Sequence, residues 1–105
     1  FYIMKQDTFG PLWQMWSFKT FDEVIERANK HELGLASYIW TNSMEQAHRA
    51  SEQIETGTVA VNTPLVAIAE APFGGIKQTG YGREGGWIAI KDYLNVKYTH
   101  LGIKG

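Results

Sequence analysis

Six of the eleven glycines fall within residues 71–86, a run that reads APFGGIKQTGYGREGG. Glycine loses more backbone entropy on ordering than any other residue, so this run is not expected to form a regular helix or strand. It suits a loop that adopts positive φ or lets another group approach its backbone closely. Phe, Ile and Tyr side chains lie among these glycines and Trp87 follows them directly, which is unusual for a linker. We therefore expect a packed or functional loop.

The composition narrows the classes of function. With 105 residues, 44% of them hydrophobic, the chain has the size and character of one small globular domain. A net charge of −1 gives no electrostatic basis for binding nucleic acid or a membrane surface. No apolar run approaches the roughly 20 residues that span a bilayer. Without a signal-peptide pattern we expect a cytoplasmic protein, although Phe1 is not a methionine and the natural N-terminus is expected upstream.

Apolar spacing and helix caps predict alternating strands and helices. Thr20-x-x-Glu23 and Ser43-x-x-Gln46 have the capping-box pattern, and apolar residues follow each at helical spacing. The predicted elements are a strand over 12–18, a helix from Thr20 to about Lys30, a strand over 35–40, a helix from Ser43 with its C-cap at Gly57, a strand over 58–61, a short helix over 87–94 and a strand over 96–103. Helical crossovers favour parallel strands, so we predict an α/β fold with a parallel βαβαβ sheet. Further strands or another copy would have to cover its edges.

Three motifs follow one another along the chain. Residues 7–11 read DTFGP, residues 57–62 read GTVAVN, and the glycine run contains PFGGIKQTGYGREGG. Together they resemble the C-terminal signature of the aldehyde dehydrogenase superfamily, in which the matching motifs are E-x-F-G-P, G-x-V-x-V-N and PFGG-x-K-x-(S/T)-G-x-G-R-E-x-G. The resemblance implies the C-terminal portion of a longer NAD- or NADP-dependent enzyme that oxidises a small aldehyde to a carboxylic acid. Residues 1–94 would complete the catalytic domain, and residues 95–105 would form an oligomerisation strand of a homodimer or homotetramer.

The resemblance also assigns roles to four residues. Asp7, where the family has glutamate, and Phe9 would contact the nicotinamide ribose. Phe73 would border the aldehyde tunnel, and Glu84 would relay the proton of the general base. The nucleophilic cysteine and the general base would lie upstream, and this sequence contains no cysteine, so we predict that the chain alone is inactive. The residues alone also allow roles that involve no ligand. Asp7 could be a turn carboxylate, both phenylalanines could serve packing, and Arg83 and Glu84 could form an ion pair.

Residues 62–70 follow the third predicted strand, at the end where open parallel sheets border ligand crevices. We expect the Asn62 amide to pin the following loop. By family analogy residues 63–70 would carry substrate specificity. Ala67 stands where relatives specific for succinate semialdehyde tend to have serine, which weakens the case for an acidic-tailed substrate.

Two other classes of protein remain open from the sequence. The chain could be a non-catalytic module that assembles subunits, or part of a sister family that reduces acyl-CoA or acyl-phosphate substrates. No metal site is expected, because the three histidines lack the spacing of metal ligands.

Overall fold

The computed structural model describes residues 6–105, so the first five residues of the predicted catalytic portion lie outside it. The helices are α1 (Phe21–Asn29), α2 (Met44–Gln53) and α3 (Gly86–Ala89), the last continued by a 3₁₀ turn over Ile90–Tyr93. The strands are β1 (Leu33–Gly34), β2 (Ala36–Ile39), β3 (Thr58–Val61) and β4 (Ile76–Lys77). Among the described residues, no helix is both long enough and apolar enough to cross a membrane.

Both predicted helix starts are confirmed. The Glu23 N–H donates to Thr20 Oγ1 at 3.2 Å at the start of α1. The Gln46 N–H donates to Ser43 Oγ at 3.3 Å at the start of α2. These side chains satisfy backbone donors that have no partner within the first turn of a helix. The two helices therefore begin directly after the residues whose hydroxyl groups cap them, Thr20 and Ser43.

Gly57 does not have the predicted role. Helix α2 ends earlier, with Ile54 as an extended C-cap whose N–H donates to Ala50. Gly57 instead lies against the backbone of the glycine run, where a Cβ would be 1.9 Å from the Gly74 carbonyl oxygen. The predicted C-cap is wrong because this glycine is required for close backbone approach, not for a left-handed turn.

The sheet contains one parallel βαβ unit. Strands β2 and β3 pair in parallel, with Ala36 opposite Thr58 and Ile39 opposite Val61, and α2 makes the crossover between them. The strand predicted over 12–18 is wrong for this chain, since that stretch is irregular. A strand needs a neighbouring strand for its hydrogen bonds. Strands β2 and β3 pair with each other, and residues 12–18 pair with neither.

A second, antiparallel pair was not predicted. Strand β1 pairs with β4, which places Leu33 opposite Lys77. The glycine run therefore contributes a two-residue strand and the start of α3, contrary to the expectation that it would hold no regular structure. Pairing with β1 stabilises β4, although the glycine-rich sequence around it does not favour a strand.

Residues 94–105 form no strand within the described chain. Val96, Tyr98 and Ile103 are almost fully exposed. The strand predicted over 96–103 therefore has no partner here, and its role in oligomerisation stays a prediction.

Little of the apolar surface is buried by the chain itself. Among the described residues only three hydrophobic side chains are buried, those of Ile25, Ala50 and Ala60. The accessible surface is 9269 Å², against about 5,900 Å² for a compact monomer of this mass. The radius of gyration is 19.3 Å, against about 13 Å for a compact domain of this length. Much apolar surface is therefore left for contacts outside this chain.

Candidate functional site

The glycine run folds back on itself and brings two of the four predicted site residues together. The Phe73 N–H donates to the Glu84 carbonyl at 2.6 Å, and the Glu84 N–H donates to the Phe73 carbonyl at 2.7 Å. This is an antiparallel bridge, in which directly opposite residues point their side chains to the same face. The Phe73 ring and the Glu84 carboxylate therefore emerge side by side.

Arg83 braces this bridge rather than pairing with Glu84. Its Nη1 donates to the Gly75 carbonyl at 2.8 Å and to the Gly82 carbonyl at 2.7 Å. Asp92 Oδ2 accepts from the Arg83 N–H at 3.2 Å. Within residues 6–105 the Glu84 carboxylate makes neither an ion pair nor a hydrogen bond. The local ion pair considered from the sequence is therefore not formed, and Glu84 keeps its acceptor oxygens available.

An open hollow of about 330 Å³ lies along the glycine run. Its side-chain lining includes Phe73, Tyr81, Glu84, Asp92 and Tyr93. Aromatic faces can pack against an apolar ligand, and a carboxylate can accept or donate a proton. The part of the chain that the structure describes has no group of three acidic, His or Cys residues placed to hold a metal ion.

The glycine run is fastened to the rest of the chain by residues whose roles the sequence did not reveal. The Gly34 N–H donates to Thr79 Oγ1 at 2.6 Å. Lys77 Nζ donates to the Asn29 carbonyl at 2.8 Å and pairs with Glu55 at 2.5 Å. Lys77 also has a φ of 57°, a conformation uncommon outside glycine. The only sequence signal was a cation within the run, which does not indicate a positive φ or a bond to a helix end.

Asp7 and Phe9 lie apart from this hollow. Phe9 is 94% exposed. Asp7 lines a separate hollow of about 290 Å³ with Trp16 and His31, which shares no residue with the hollow of Phe73 and Glu84. The structure thus does not bring the predicted cofactor residues next to the predicted substrate and relay residues, and the ribose contacts stay a prediction.

Asn62 is pinned, but not to the loop that follows it. Its side-chain amide bonds to the backbone of Thr41, at the end of β2. The expectation that it would hold residues 63–70 directly is therefore wrong, because the backbone groups of Thr41 lie beside it at the same edge of the sheet.

The βαβ unit and the folded glycine run agree with one family of enzymes. The sequence pattern of the Aldehyde dehydrogenase family matches residues 1–99, and the chain belongs to that family. The 3-sulfolactaldehyde dehydrogenase of Pseudomonas putida is 48% identical over 100 residues, which are 95% of this chain and 21% of that protein. The succinate semialdehyde dehydrogenase of Acinetobacter baylyi is 47% identical over the same shares of both chains.

Solved structures show the same likeness. An NAD+ complex of aldehyde dehydrogenase from Bacillus cereus superposes with a TM-score of 0.92 at 41% identity, covering 97% of this chain and 21% of that one. A succinate-semialdehyde dehydrogenase from Burkholderia pseudomallei gives a TM-score of 0.83 at 42% identity, covering 87% of this chain and 19% of that one. The chain spans about a fifth of the length of the relatives it matches.

Proposed function

We propose that this chain is the C-terminal portion of an NAD- or NADP-dependent aldehyde dehydrogenase, which oxidises a small aldehyde to the carboxylic acid. The observation that carries the proposal is the family match over residues 1–99 in relatives about five times longer. The large exposed apolar surface supports it, because a remaining part of the enzyme would cover that surface. A cytoplasmic location stays a prediction from the sequence.

The residues of the 7–11 turn have chemistry that fits a nicotinamide ribose. Asp7 is exposed, and its carboxylate can accept hydrogen bonds from two hydroxyl groups. The side chain of Phe9, in the same segment, is also exposed. A nicotinamide cofactor held here would supply the hydride acceptor for the oxidation. The part of this chain is to hold and orient the ribose, with an aspartate one methylene shorter than the family's glutamate.

Phe73 and Glu84 would act on the substrate side. Phe73 would form an apolar wall of the aldehyde tunnel, and Glu84 would hold or pass a proton at its carboxylate. Their backbone bridge fixes the two side chains on one face, and the Arg83 bonds stiffen the loop behind them. The nucleophile and the general base would come from the remaining part of the enzyme, because this sequence contains no cysteine.

Residues 95–105 would pair with the sheet of a neighbouring copy in a homodimer or homotetramer. This segment forms neither a helix nor a strand among the described residues, and its side chains at Val96 and Tyr98 are exposed. Strands β2 and β3 form a sheet of only two strands, whose outer edges offer backbone donors and acceptors. Adding residues 95–105 as a strand to such an edge would pair the free backbone groups of the sheet and cover the exposed apolar side chains of the segment.

The test compares the 105-residue chain with the product of the complete reading frame. Formation of reduced nicotinamide is measured with NAD or NADP and a panel of aldehydes. We expect aldehyde-dependent reduction by the complete product and none by the 105 residues alone. Turnover by the short chain would overturn the claim of incompleteness. A complete product that assembles but oxidises no aldehyde would favour the interaction module, and one that reduces only acyl-CoA or acyl-phosphate would favour the sister family.

Glu84→Gln tests the relay role in the same product. We expect kcat to fall by about a hundredfold, the scale of one positioned proton-transfer group. The matched control is Glu52→Gln, an exposed glutamate on α2, for which we expect unchanged turnover. Equal kcat in both variants would remove Glu84 from the mechanism.

A further inference from the structure

Asp92 comes from the 3₁₀ turn after α3 and contacts the backbone immediately before Glu84. Its Oδ2 accepts from the Arg83 N–H at 3.2 Å. A Cβ at Gly82 would lie 2.9 Å from the same oxygen, so the lack of a side chain at residue 82 gives the carboxylate room. Gly82 also has a φ of 81°, a conformation that favours glycine. Two successive residues of the glycine run therefore accommodate the Asp92 carboxylate.

The segment that carries Glu84 is held from both of its edges. On one edge, the Glu84 N–H and carbonyl bond to the backbone of Phe73. In an antiparallel pair, the residue next to such a position turns its N–H away from the partner segment, and on that other edge the Arg83 N–H bonds to Asp92. The Phe73 bonds alone would leave the segment able to turn about them. The bond to Asp92 removes that freedom and so fixes the direction in which the Glu84 side chain leaves the backbone.

The position of Asp92 is itself fixed by local contacts. The 3₁₀ turn is closed by a bond from the Leu94 N–H to the Lys91 carbonyl at 3.2 Å. Lys91 Nζ lies 4.3 Å from the centre of the Trp87 ring in α3. Across the described residues 6–105, no basic side chain forms an ion pair with Asp92. Its carboxylate is therefore available to the backbone of the glycine run.

We propose that Asp92 is a positioning residue for the relay carboxylate of Glu84. The inference rests on the proposed function for the role of Glu84 itself. Asp92 lines the same hollow of about 330 Å³ as Phe73 and Glu84, but its Oδ2 bonds to backbone. A carboxylate makes a stronger hydrogen bond to an N–H than a neutral acceptor does. Loss of Asp92 therefore slows the step that needs Glu84 and leaves the binding of the aldehyde and the cofactor nearly unchanged.

The test measures kcat and KM in the product of the complete reading frame. Asp92→Ala removes the acceptor, whereas Asp92→Asn keeps one acceptor oxygen at the same reach. For Asp92→Ala we expect kcat to fall about tenfold, with the KM of the aldehyde and of the cofactor within about twofold. For Asp92→Asn we expect kcat to stay within about threefold of that of the unsubstituted protein. The control is Lys91→Ala, which alters the same 3₁₀ turn at its contact with Trp87 and should leave kcat unchanged.

A double substitution separates the positioning of Glu84 from a general loss of structure. If Asp92 acts through Glu84, Asp92→Ala should not lower kcat further in the Glu84→Gln variant, because the effects of coupled residues do not add. A second loss of about tenfold in that background would overturn the proposal, since independent effects add. A loss in Lys91→Ala as large as that in Asp92→Ala would also overturn it, as would an unchanged kcat in Asp92→Ala.

Amide hydrogen exchange gives a readout that does not depend on turnover. The Arg83 N–H should exchange about tenfold faster in Asp92→Ala than in the unsubstituted protein or in Lys91→Ala, because its bond limits local opening. Unchanged exchange in Asp92→Ala would overturn the backbone contact whatever the kinetics. Full turnover in Glu84→Gln would overturn the relay in the proposed function and the positioning role with it, while exchange would still decide whether Asp92 fixes this backbone. A loss of turnover in Glu84→Gln but not in Asp92→Ala would overturn the positioning role alone.

Discussion

The βαβ unit over residues 36–61 and the two arms, residues 6–19 and 94–105, are built from similar apolar patterns but differ in structure. In the βαβ unit, each strand has its ladder partner within the chain, and the crossover helix begins at a capped residue. The arms have exposed aromatic and aliphatic side chains and form no strand among the described residues. An alternating apolar pattern therefore indicates side chains suited to burial. Whether the segment forms a strand depends on whether another segment is available to pair with it.

The difference has a physical origin in where hydrogen bonds are satisfied. A helix satisfies most of its backbone groups within its own segment, so a cap and an apolar stripe are enough to define α1 and α2. A strand satisfies its groups on another segment. The arms have no segment within this chain to pair with. In the chain by itself, substitutions within residues 21–93 should therefore change the free energy of unfolding strongly, whereas substitutions in the arms should change it little.

The largest expected effect is that of Gly57→Ala. The new Cβ would lie 1.9 Å from the Gly74 carbonyl oxygen and 2.8 Å from Gly75 Cα, and backbone atoms cannot move aside as a flexible side chain can. We expect a loss of about 3 kcal/mol or more in the free energy of unfolding, measured by urea denaturation. The control in the arm is Gly102→Ala, whose Cβ would meet nothing within 4 Å. Similar losses in the two variants would break the comparison.

Lys77→Met should have the next largest effect. It removes bonds to the carbonyls of Asn29 and His31 at the end of α1 and the pair with Glu55. The Lys77 side chain is only 24% exposed, so we expect a loss of about 1–3 kcal/mol in the free energy of unfolding.

The control for Lys77→Met is Lys30→Met, which removes an ion pair between side chains that are at least 70% exposed. Exposed pairs contribute little, so no measurable change in stability is expected. If both lysine variants lost the same stability, the glycine run would not depend on Lys77 for its attachment to α1.

Thr20→Ala tests the junction between the N-terminal arm and α1. It removes the oxygen that accepts from the Glu23 N–H, and loss of an N-cap costs about 1 kcal/mol. Thr20→Ser keeps the oxygen and should retain most of the stability. Thermal unfolding monitored by circular dichroism would measure both variants, and an unchanged midpoint in Thr20→Ala would show that the cap is not what starts α1.

Local signals in the sequence were enough for the helices and for the parallel pair. Thr20 and Ser43 marked the helix starts, and the β-rich run over 58–61 became β3 with those bounds. The stretch over 12–18 failed despite an equally apolar pattern, because periodicity carries no information on which segment will pair with it. Strand β4 was missed because its two residues depend on β1 rather than on their own propensity.

The sequence predicted those parts of the candidate site that depend on the type of residue alone. The glycine run indicated a folded loop, and the structure brings Phe73 and Glu84 together in it. The attachments through Lys77 and Asn62 were not foreseeable, since left-handed backbone at a lysine and an amide bonded to Thr41, 21 residues away, leave no local pattern.

The smallest expected effect concerns the pH dependence of an exposed pair on α1. Lys30 Nζ lies 2.7 Å from Glu26 Oε1, and this hydrogen bond, with the lysine charge, holds the pKa of Glu26 below its usual 4.5. A lowered pKa in the folded state means that the contribution to stability is present above pH 4.5 and is lost as the pH falls through the folded value. Lys30→Met should raise the pKa of Glu26 toward 4.5, as measured by NMR titration of its carboxyl carbon. High salt should reduce the shift in the unsubstituted chain, and a pKa that Lys30→Met leaves unchanged would show that the pair does not persist in solution.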